Sequence, residues 1–285
     1  MNVLRLSEFD KIHSIKTQGS GKIFIGNLNG EEYYIKEVAK YMPWDAHTNE
    51  FGVYHYELAI NELLVSKIYN EVYHIPAVEL FIVYNDTAHK MQRFLIASKA
   101  LVIDSCQTST LDCEKLYNNS FAYTVEPFLV DCVLANWDVA ADGNIGVVKQ
   151  KRKKIAFRLD VGGALKYRAL GAPRTTYEAV PMEHKSMLSP QNISSKLFTK
   201  IKSQQVDDMF LILQHAELSK LQEIKKNIIN GMKRLGVFSS DDMQRVNGVF
   251  DTLSILKKRH SYYVKNKTIV MQMILSAQVN KKSFT

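Results

Sequence analysis

Cysteine is scarce in this 285-residue chain, which has three: Cys106, Cys113 and Cys132. An odd number without paired metal-ligand spacing argues against a disulfide framework and favours a reduced, cytoplasmic setting. Long apolar runs are missing too. None reaches the roughly 18 residues that a membrane span requires, so no transmembrane segment is expected. The opening stretch MNVLRLSEFD lacks the charged-then-apolar build of a secretory signal. No zinc-finger or RNP-like spacing accompanies the basic residues, which argues against specific nucleic-acid recognition. Internal repeats and low-complexity segments are absent as well.

What is present is apolar mass and positive charge. Hydrophobic residues make up 46% of the chain, enough for a large core, and the length admits one domain or two. The net charge of +8 favours anionic partners in general, whether phosphates, nucleic acid or acidic membrane, without choosing among them. Local density occurs at 149–154 and 257–260, where a solvated turn and a helix end account for it equally well.

The chain is organised around 131–165, which reads DCVLANWDVAADGNIGVV, a basic KQKRKK, then IAFRLDVGGAL. The segments 145–148 and 155–157 have the apolar, β-branched character of short strands, with 149–154 as the turn between them. Such a hairpin brings Asn144 and Asp160 side by side. A carboxamide and a carboxylate supply hard oxygen ligands suited to a divalent cation that takes its other ligands from water and phosphate. Asp138, just upstream, is then free to orient a hydroxyl nucleophile, the division of labour found in phosphoryl transfer. Asp138 and Asn144 taken singly are also ordinary turn residues beside glycine. Asp160 is harder to assign that way, because it ends an apolar strand and precedes Gly162 and Gly163.

Upstream, 11–36 reads as a small antiparallel sheet. Asn29-Gly30 is a strong hairpin turn, since both residues tolerate positive φ. Gly19, Ser20 and Gly21 lie between two strands, where backbone N–H groups can approach phosphates without a Cβ in the way; a merely flexible hairpin fits the same residues. GSGK does not make a P-loop, because no glycine opens the motif and Ile23 stands where Ser or Thr would bind Mg²⁺. The next strand carries Lys36. Helical periodicity then runs from 50 to 70 through Tyr54, Leu58, Val65 and Tyr69, with Glu57 and Glu62 on the same helix and Glu62 on a half-buried face. Two further strands, VELFIVY and RFLIASKAL, complete a five-stranded sheet, with 97–101 as a hinge. From 118 onward the chain is mainly helical. Helices are expected at 205–215, at 218–235 with a C-cap at Gly236, and from an N-terminal signal at Ser239-Ser240-Asp241 to the basic residues at 257–259. Arg168 and Arg174 lie downstream of Asp160, placed either to contact an acidic substrate or to be solvated.

Several of these stretches resemble the atypical kinases of the protein-kinase superfamily, near the HipA and phosphatidylinositol-kinase-like branch. Asn136-Trp137-Asp138 with Asn144 is similar to their N-x-D…N catalytic loop. Leu159-Asp160-Val161-Gly162 is similar to their metal-binding motif. NELLVSKIYNEVYHIPAVEL resembles the stretch in which a glutamate opens a helix and a proline precedes the next strand, which favours Glu62 over Glu57. LDVGGALKYRALG more narrowly resembles a group of bacterial kinase-like proteins that includes secreted effector kinases, one of them activated by inositol hexakisphosphate. The H-R-D form of ordinary protein kinases is absent, Val161 departs from the usual Asn-like residue, and the match weakens beyond Pro173.

The resemblance implies an α+β, bilobal kinase-like fold, with a β-rich N-lobe over 1–98 and a helical C-lobe over 99–285. It implies ATP with Mg²⁺ or Mn²⁺. Lys36 and the glycine-containing turn at Gly19, Ser20 and Gly21 would meet the nucleotide. Glu62 would hold Lys36, Asp138 orient the acceptor, and Asn144 with Asp160 bind metal. A protein Ser/Thr substrate, an inositol polyphosphate activator, and delivery into a host cell by a specialised machine follow as expectations. Transfer of AMP, phosphorylation of a lipid head group, and a nucleotide-binding pseudokinase are the alternatives.

Overall fold

The computed structural model describes residues 3–15, 23–38, 55–87, 93–101, 103–106, 121–141, 143–150, 153–168, 172–192, 194–198 and 201–279. Gly19, Ser20 and Gly21 lie outside them.

The N-terminal part is a six-stranded sheet of β1 (Val3–Arg5), β2 (Asp10–Ile15), β3 (Ile23–Leu28), β4 (Glu31–Glu37), β5 (Leu80–Tyr84) and β6 (Phe94–Lys99), in the order β1-β5-β6-β4-β3-β2. β1 runs parallel to β5, and the other neighbours are antiparallel. Five strands were expected from the sequence. The sixth, β1, has three residues, too few to show an alternation, and pairing with β5 is what makes it a strand. Asn29 and Gly30 turn β3 into β4 with φ of 54° and 82°, the left-handed geometry a tight hairpin requires.

Alternation along the strands sorts side chains to two faces. Tyr33, Ile35, Leu95 and Ala97 join Phe9 and Val83 in a small outer cluster. Ile82 and Ile96 face the main core with helix α1 (His55–Lys67). Lys36 lies directly opposite Ile96 across β4 and β6, so the pleat sends it to the α1 face.

Helix α1 is buried almost all round: eleven of its thirteen residues, Tyr56 through Ser66, are inaccessible. This replaces the half-buried face expected for Glu62: apolar residues recur on all sides of the helix, so it is enclosed together with its polar residues. Its buried polar residues have partners. Ser66 Oγ donates to Val78 O at 2.5 Å, and Asn61 Nδ2 donates to Ala164 O at 3.0 Å. The helix continues as a π-turn over Ile68–Val72.

β7 (Ile103–Cys106), β8 (Ile145–Gln150) and β9 (Lys153–Arg158) form a second, three-stranded sheet. The hairpin is longer than the sequence suggested: Lys149 pairs with Lys154 and Gln150 with Lys153, so these basic residues extend the strands. The remaining elements are helices: α2 (Phe128–Leu134), α3 (Glu183–Leu188), α4 (Ser195–Phe198), α5 (Ser203–Gln214), α6 (Lys220–Arg234), α7 (Ser240–Val249), α8 (Thr252–Lys265) and α9 (Lys267–Val279). Ser239 caps α7, accepting from Asp242 N at 3.1 Å.

The single helix expected from Ser239 to Arg259 is two. At the break, Phe250 N donates to Asn247 O at 3.0 Å and Leu253 N to Phe250 O at 3.0 Å, tighter i→i+3 bonds that turn the chain. The basic cluster 257–260 therefore lies inside α8 rather than at a helix end. Arg259 is 1% exposed. Its guanidinium donates to Cys132 O (2.7 Å), Val133 O (2.8 Å) and Glu178 O (2.9 Å), pairs with Glu183 at 2.5 Å, and lies 4.6 Å over the Tyr177 ring. It satisfies carbonyls at the C-terminal end of α2 that the helix itself cannot.

Candidate active site

Helix α2 leads into the site. It ends at Ala135, whose φ of 56° is left-handed, and Asn136 N reaches back to Asp131 O at 2.8 Å. The chain then turns through Trp137 and Asp138. The carbonyl of Asp138 ties the next turn, accepting from Ala141 N at 2.7 Å and from Asn144 Nδ2 at 2.7 Å. Gly143 has φ of 83°, and a side chain there would be strained. Asn144 then enters β8. Ile145 is paired with Arg158, and Leu159 N donates to Asn144 O at 2.8 Å, so the hairpin sets Asp160 one residue past the point opposite Asn144.

Asp160 is 52% exposed along its side chain and accepts from Gly162 N at 3.2 Å. Its carboxylate lies 3.7 Å from Lys36 Nζ, which also pairs with Glu62 at 2.6 Å. Thus β4, α1 and the segment after β9 meet at one ammonium group. Glu57, five positions before Glu62, is turned about 140° round the helix, which is why Glu62 is the α1 carboxylate at Lys36 although both are buried. Gly162 permits this closeness: a Cβ there would come to 3.1 Å from Glu62 Oε2.

The electrostatics follow from crowding carboxylates in a partly dry space. Burial opposes the Lys36 charge, but Glu62 and Asp160 outweigh it and hold the ammonium above its ordinary range. Burial pushes Glu62 up; Lys36 counters this, while Asp160 adds to it. Asp138 is pushed up to about 6, chiefly by burial and then by the Asp160 charge, against the opposing pull of a backbone hydrogen bond and of Arg174. A carboxyl raised in the fold favours the folded state while protonated and disfavours it when ionised. The Asp138 penalty is therefore absent below the unfolded value near 3.8, grows toward 6, and is complete above it. Asp138→Asn is expected to raise the melting temperature at pH 8 by about 2–4 °C, on the order of 1 kcal/mol after solvent screening, and not at pH 4. Thermal melts at the two pH values check this; an equal shift at both would place the effect elsewhere.

A second layer, not foreseen from the sequence, supports these residues. Arg158 and Asp131 form an ion pair at 2.7 Å with both side chains 0% exposed. Arg158 also donates to Tyr123 O at 2.8 Å and to Thr124 O at 3.4 Å. The Tyr69 hydroxyl donates to Asp131 Oδ1 at 2.7 Å and accepts from Asn136 Nδ2 at 3.0 Å. One buried network thus links the π-turn after α1, helix α2, the turn leading to Asp138, and β9 two residues before Asp160. Arg174 adds a clamp, donating to Ala135 O at 2.5 Å and to Gly163 O at 2.6 Å. The signal for the network was present in the sequence as lone charges within apolar runs, Asp131 in DCVLA and Arg158 in IAFRL.

A divalent metal fits the Asn144 and Asp160 pair. The Asn144 nitrogen donates to Asp138 O, which leaves its oxygen as the atom that could meet a cation, and Asp160 offers a carboxylate. Among the described residues no group of three or more His, Cys, Asp or Glu side chains is placed to hold a metal. Two protein oxygens suit an ion that takes its other ligands from phosphate and water. No helix among the described residues is long and apolar enough to cross a membrane.

No protein-family model matches the sequence, and no curated protein matches it. Solved structures do. The crystal structure of the Helicobacter pylori proinflammatory kinase CtkA matches over 92% of this chain and 98% of that one, with a TM-score of 0.51 and 14% sequence identity. At that identity the likeness concerns the fold, and it spans both the β-rich and the helical parts. The chain has a bilobal, α+β, protein-kinase-like fold.

Proposed function

We propose that the chain is an ATP-dependent phosphotransferase of the atypical kinase type, with one catalytic domain divided near Ser98 into an N-lobe and a C-lobe. The observation that carries this reading is the Lys36 ammonium held between Glu62 at 2.6 Å and Asp160 at 3.7 Å. A scaffold gains little from confining three charges in one cleft, where desolvation opposes them. A phosphate-binding site needs a fixed cation beside a metal ligand.

In this reading Lys36 contacts the nucleotide phosphates and Glu62 fixes its ammonium. The turn at Gly19, Ser20 and Gly21 covers the phosphates, an assignment resting on sequence alone. Asp138 orients the acceptor hydroxyl. As the acceptor oxygen bonds to the γ-phosphorus, the bond to the β–γ bridging oxygen breaks, ADP leaves, and the hydroxyl proton passes to Asp138. A carboxyl that titrates near 6 is ionised at neutral pH and still basic enough to take that proton. Asn144 and Asp160 would hold Mg²⁺ or Mn²⁺, which neutralises charge on the transferred group. Arg158, Asp131 and Tyr69 keep the two halves of this constellation in register.

The acceptor in this proposal is a protein Ser or Thr hydroxyl. The placement as a bacterial effector acting in a host cell draws on the resemblance of 159–171 and on the bacterial kinase that shares the fold. The net charge of +8 supports an inositol polyphosphate as activator.

Intact-mass measurement after incubation with ATP and Mg²⁺ or Mn²⁺, with and without inositol hexakisphosphate, tests the reading. A phosphoryl adduct, absent in Lys36→Met, is the expected result, and more of it with the hexakisphosphate supports the activator. An adenylyl adduct would replace phosphoryl transfer by AMP transfer. No adduct on the chain or on an added protein substrate would point to a pseudokinase.

A further inference from the structure

An exposed indole stands immediately before Asp138. Trp137 is 39% exposed, unusual for the largest apolar side chain, and it is not left bare by neglect. Two guanidinium groups flank it, Arg174 at 5.5 Å and Arg168 at 5.9 Å from the ring centroid. Arg168 and Arg174 lie on segments 166–168 and 172–174, which pair with each other. There Arg168 N donates to Ala172 O at 2.7 Å, Arg174 N donates to Lys166 O at 2.8 Å, and Tyr167 bridges to Pro173. Ser194 Oγ donates to the Trp137 carbonyl at 2.7 Å, which fixes the backbone that carries the indole.

The two arginines do different things. Arg174 is committed to the carbonyls of Ala135 and Gly163, so its position has a structural cause. Burial lowers its basicity to about 10, Glu183 opposes this, and the neighbouring Arg168 charge adds to it. Arg168 is exposed, and among the described residues no carboxylate pairs with it. Two cations set close together raise each other's energy unless an anion joins them, and carbonyls do not neutralise Arg174. A guanidinium held against an aromatic face is also preordered for a planar carboxylate.

We propose that Trp137 and Arg168 form a recognition site for a carboxylate on a peptide acceptor, so that the hydroxyl offered to Asp138 has an acidic neighbour. This rests on the phosphotransferase reading and adds the substrate class. Trp137 immediately precedes Asp138 in the chain and Arg168 lies against its ring, so the acidic residue belongs within one or two positions of the acceptor, consecutive residues of an extended peptide advancing about 3.3 Å. An anionic membrane would need several free cations on one face. Here Arg174 is half-buried and holds two carbonyls, so Arg168 is the exposed guanidinium at the indole among the described residues.

Binding and transfer are measured on the same pair of peptides, one with Asp beside a lone Ser and one with Asn in its place. Trp44→Phe leaves Trp137 as the fluorescent reporter, and calorimetry on the unaltered chain provides the same ranking independently. The Asp peptide is expected to bind about fivefold tighter, with the difference shrinking as salt rises. Arg168→Glu should abolish or reverse the ranking and Arg168→Lys should keep part of it. Equal binding of the two peptides, or an unchanged ranking in Arg168→Glu, would overturn the site. So would attachment to phosphatidylserine vesicles without discrimination between the peptides. Acid-selective binding without transfer would uphold the site and count against the phosphotransferase reading. Transfer with no acid preference would do the reverse.

Discussion

Asp160→Ala is expected to lower phosphoryl transfer at least about a hundredfold, the scale seen when one charge-stabilising group is removed from a transition state. The melting temperature without nucleotide should stay within about 2 °C, because an exposed side chain away from the core is usually worth under about 0.5 kcal/mol. The structure separates the two effects. Asp160 is 52% exposed and touches Lys36 at 3.7 Å and Gly162 N at 3.2 Å, and Lys36 has a second, closer carboxylate in Glu62 at 2.6 Å that the substitution does not remove. The backbone at this point is fixed from elsewhere, by Leu159 N on Asn144 O at 2.8 Å and Leu165 N on Leu134 O at 2.7 Å. Initial rates with saturating ATP and metal, alongside thermal melts, provide both readouts. A variant that transfers phosphate at the unaltered rate would remove Asp160 from the site.

The largest effect on stability is expected two residues upstream of Asp160, where Arg158 closes β9 over Asp131. Asp131→Ala strands a guanidinium that is wholly buried and leaves the Tyr69 hydroxyl without its acceptor. Breaking a buried pair from one side costs about 3–5 kcal/mol, since the remaining charge keeps its desolvation penalty and loses its partner. For a chain of this size that corresponds to a fall of about 10 °C in melting temperature. Removing both charges together tells a different story. Asp131→Leu with Arg158→Met should recover most of the loss, because apolar groups of similar volume carry no such penalty. Arg158 also serves the carbonyls of Tyr123 and Thr124, so recovery should stop short of completeness. A fall of less than about 2 °C in Asp131→Ala would contradict the buried-charge account.

These two residues show where sequence reading reached and where it stopped. Asp160 was legible because its surroundings are local. The hairpin of β8 and β9 joins residues close in the chain, and its register follows from apolar alternation and a polar turn. The strands extend beyond the expected turn, but Asn144 and the end of β9 come together all the same. Asp131 and Arg158 were passed over for the opposite reason. In the sequence each is a lone charge within an apolar run, and only their meeting in the core reveals a purpose. Arg259 repeats the pattern. As one of three basic residues in a row it read as a solvated helix end, whereas the break between α7 and α8 turns it toward the end of α2, 126 residues away for its bond to Val133 O.

By itself the sequence determined five of the six strands of the first sheet and the β8–β9 hairpin, that a carboxamide and a carboxylate flank that hairpin, and that Lys36 sits near a strand end with two glutamates on the following helix. Periodicity, turn residues and short-range pairing carry that information, since each depends on neighbours a few positions away. Only the tertiary structure decided that β1 adds a sixth strand and that Arg158 and Arg259 lie inside. In each case the outcome depends on which surface of one element packs against another. A charge in sequence carries the same symbol whether water or a buried carboxylate surrounds it, and the choice between them is made only when the elements assemble.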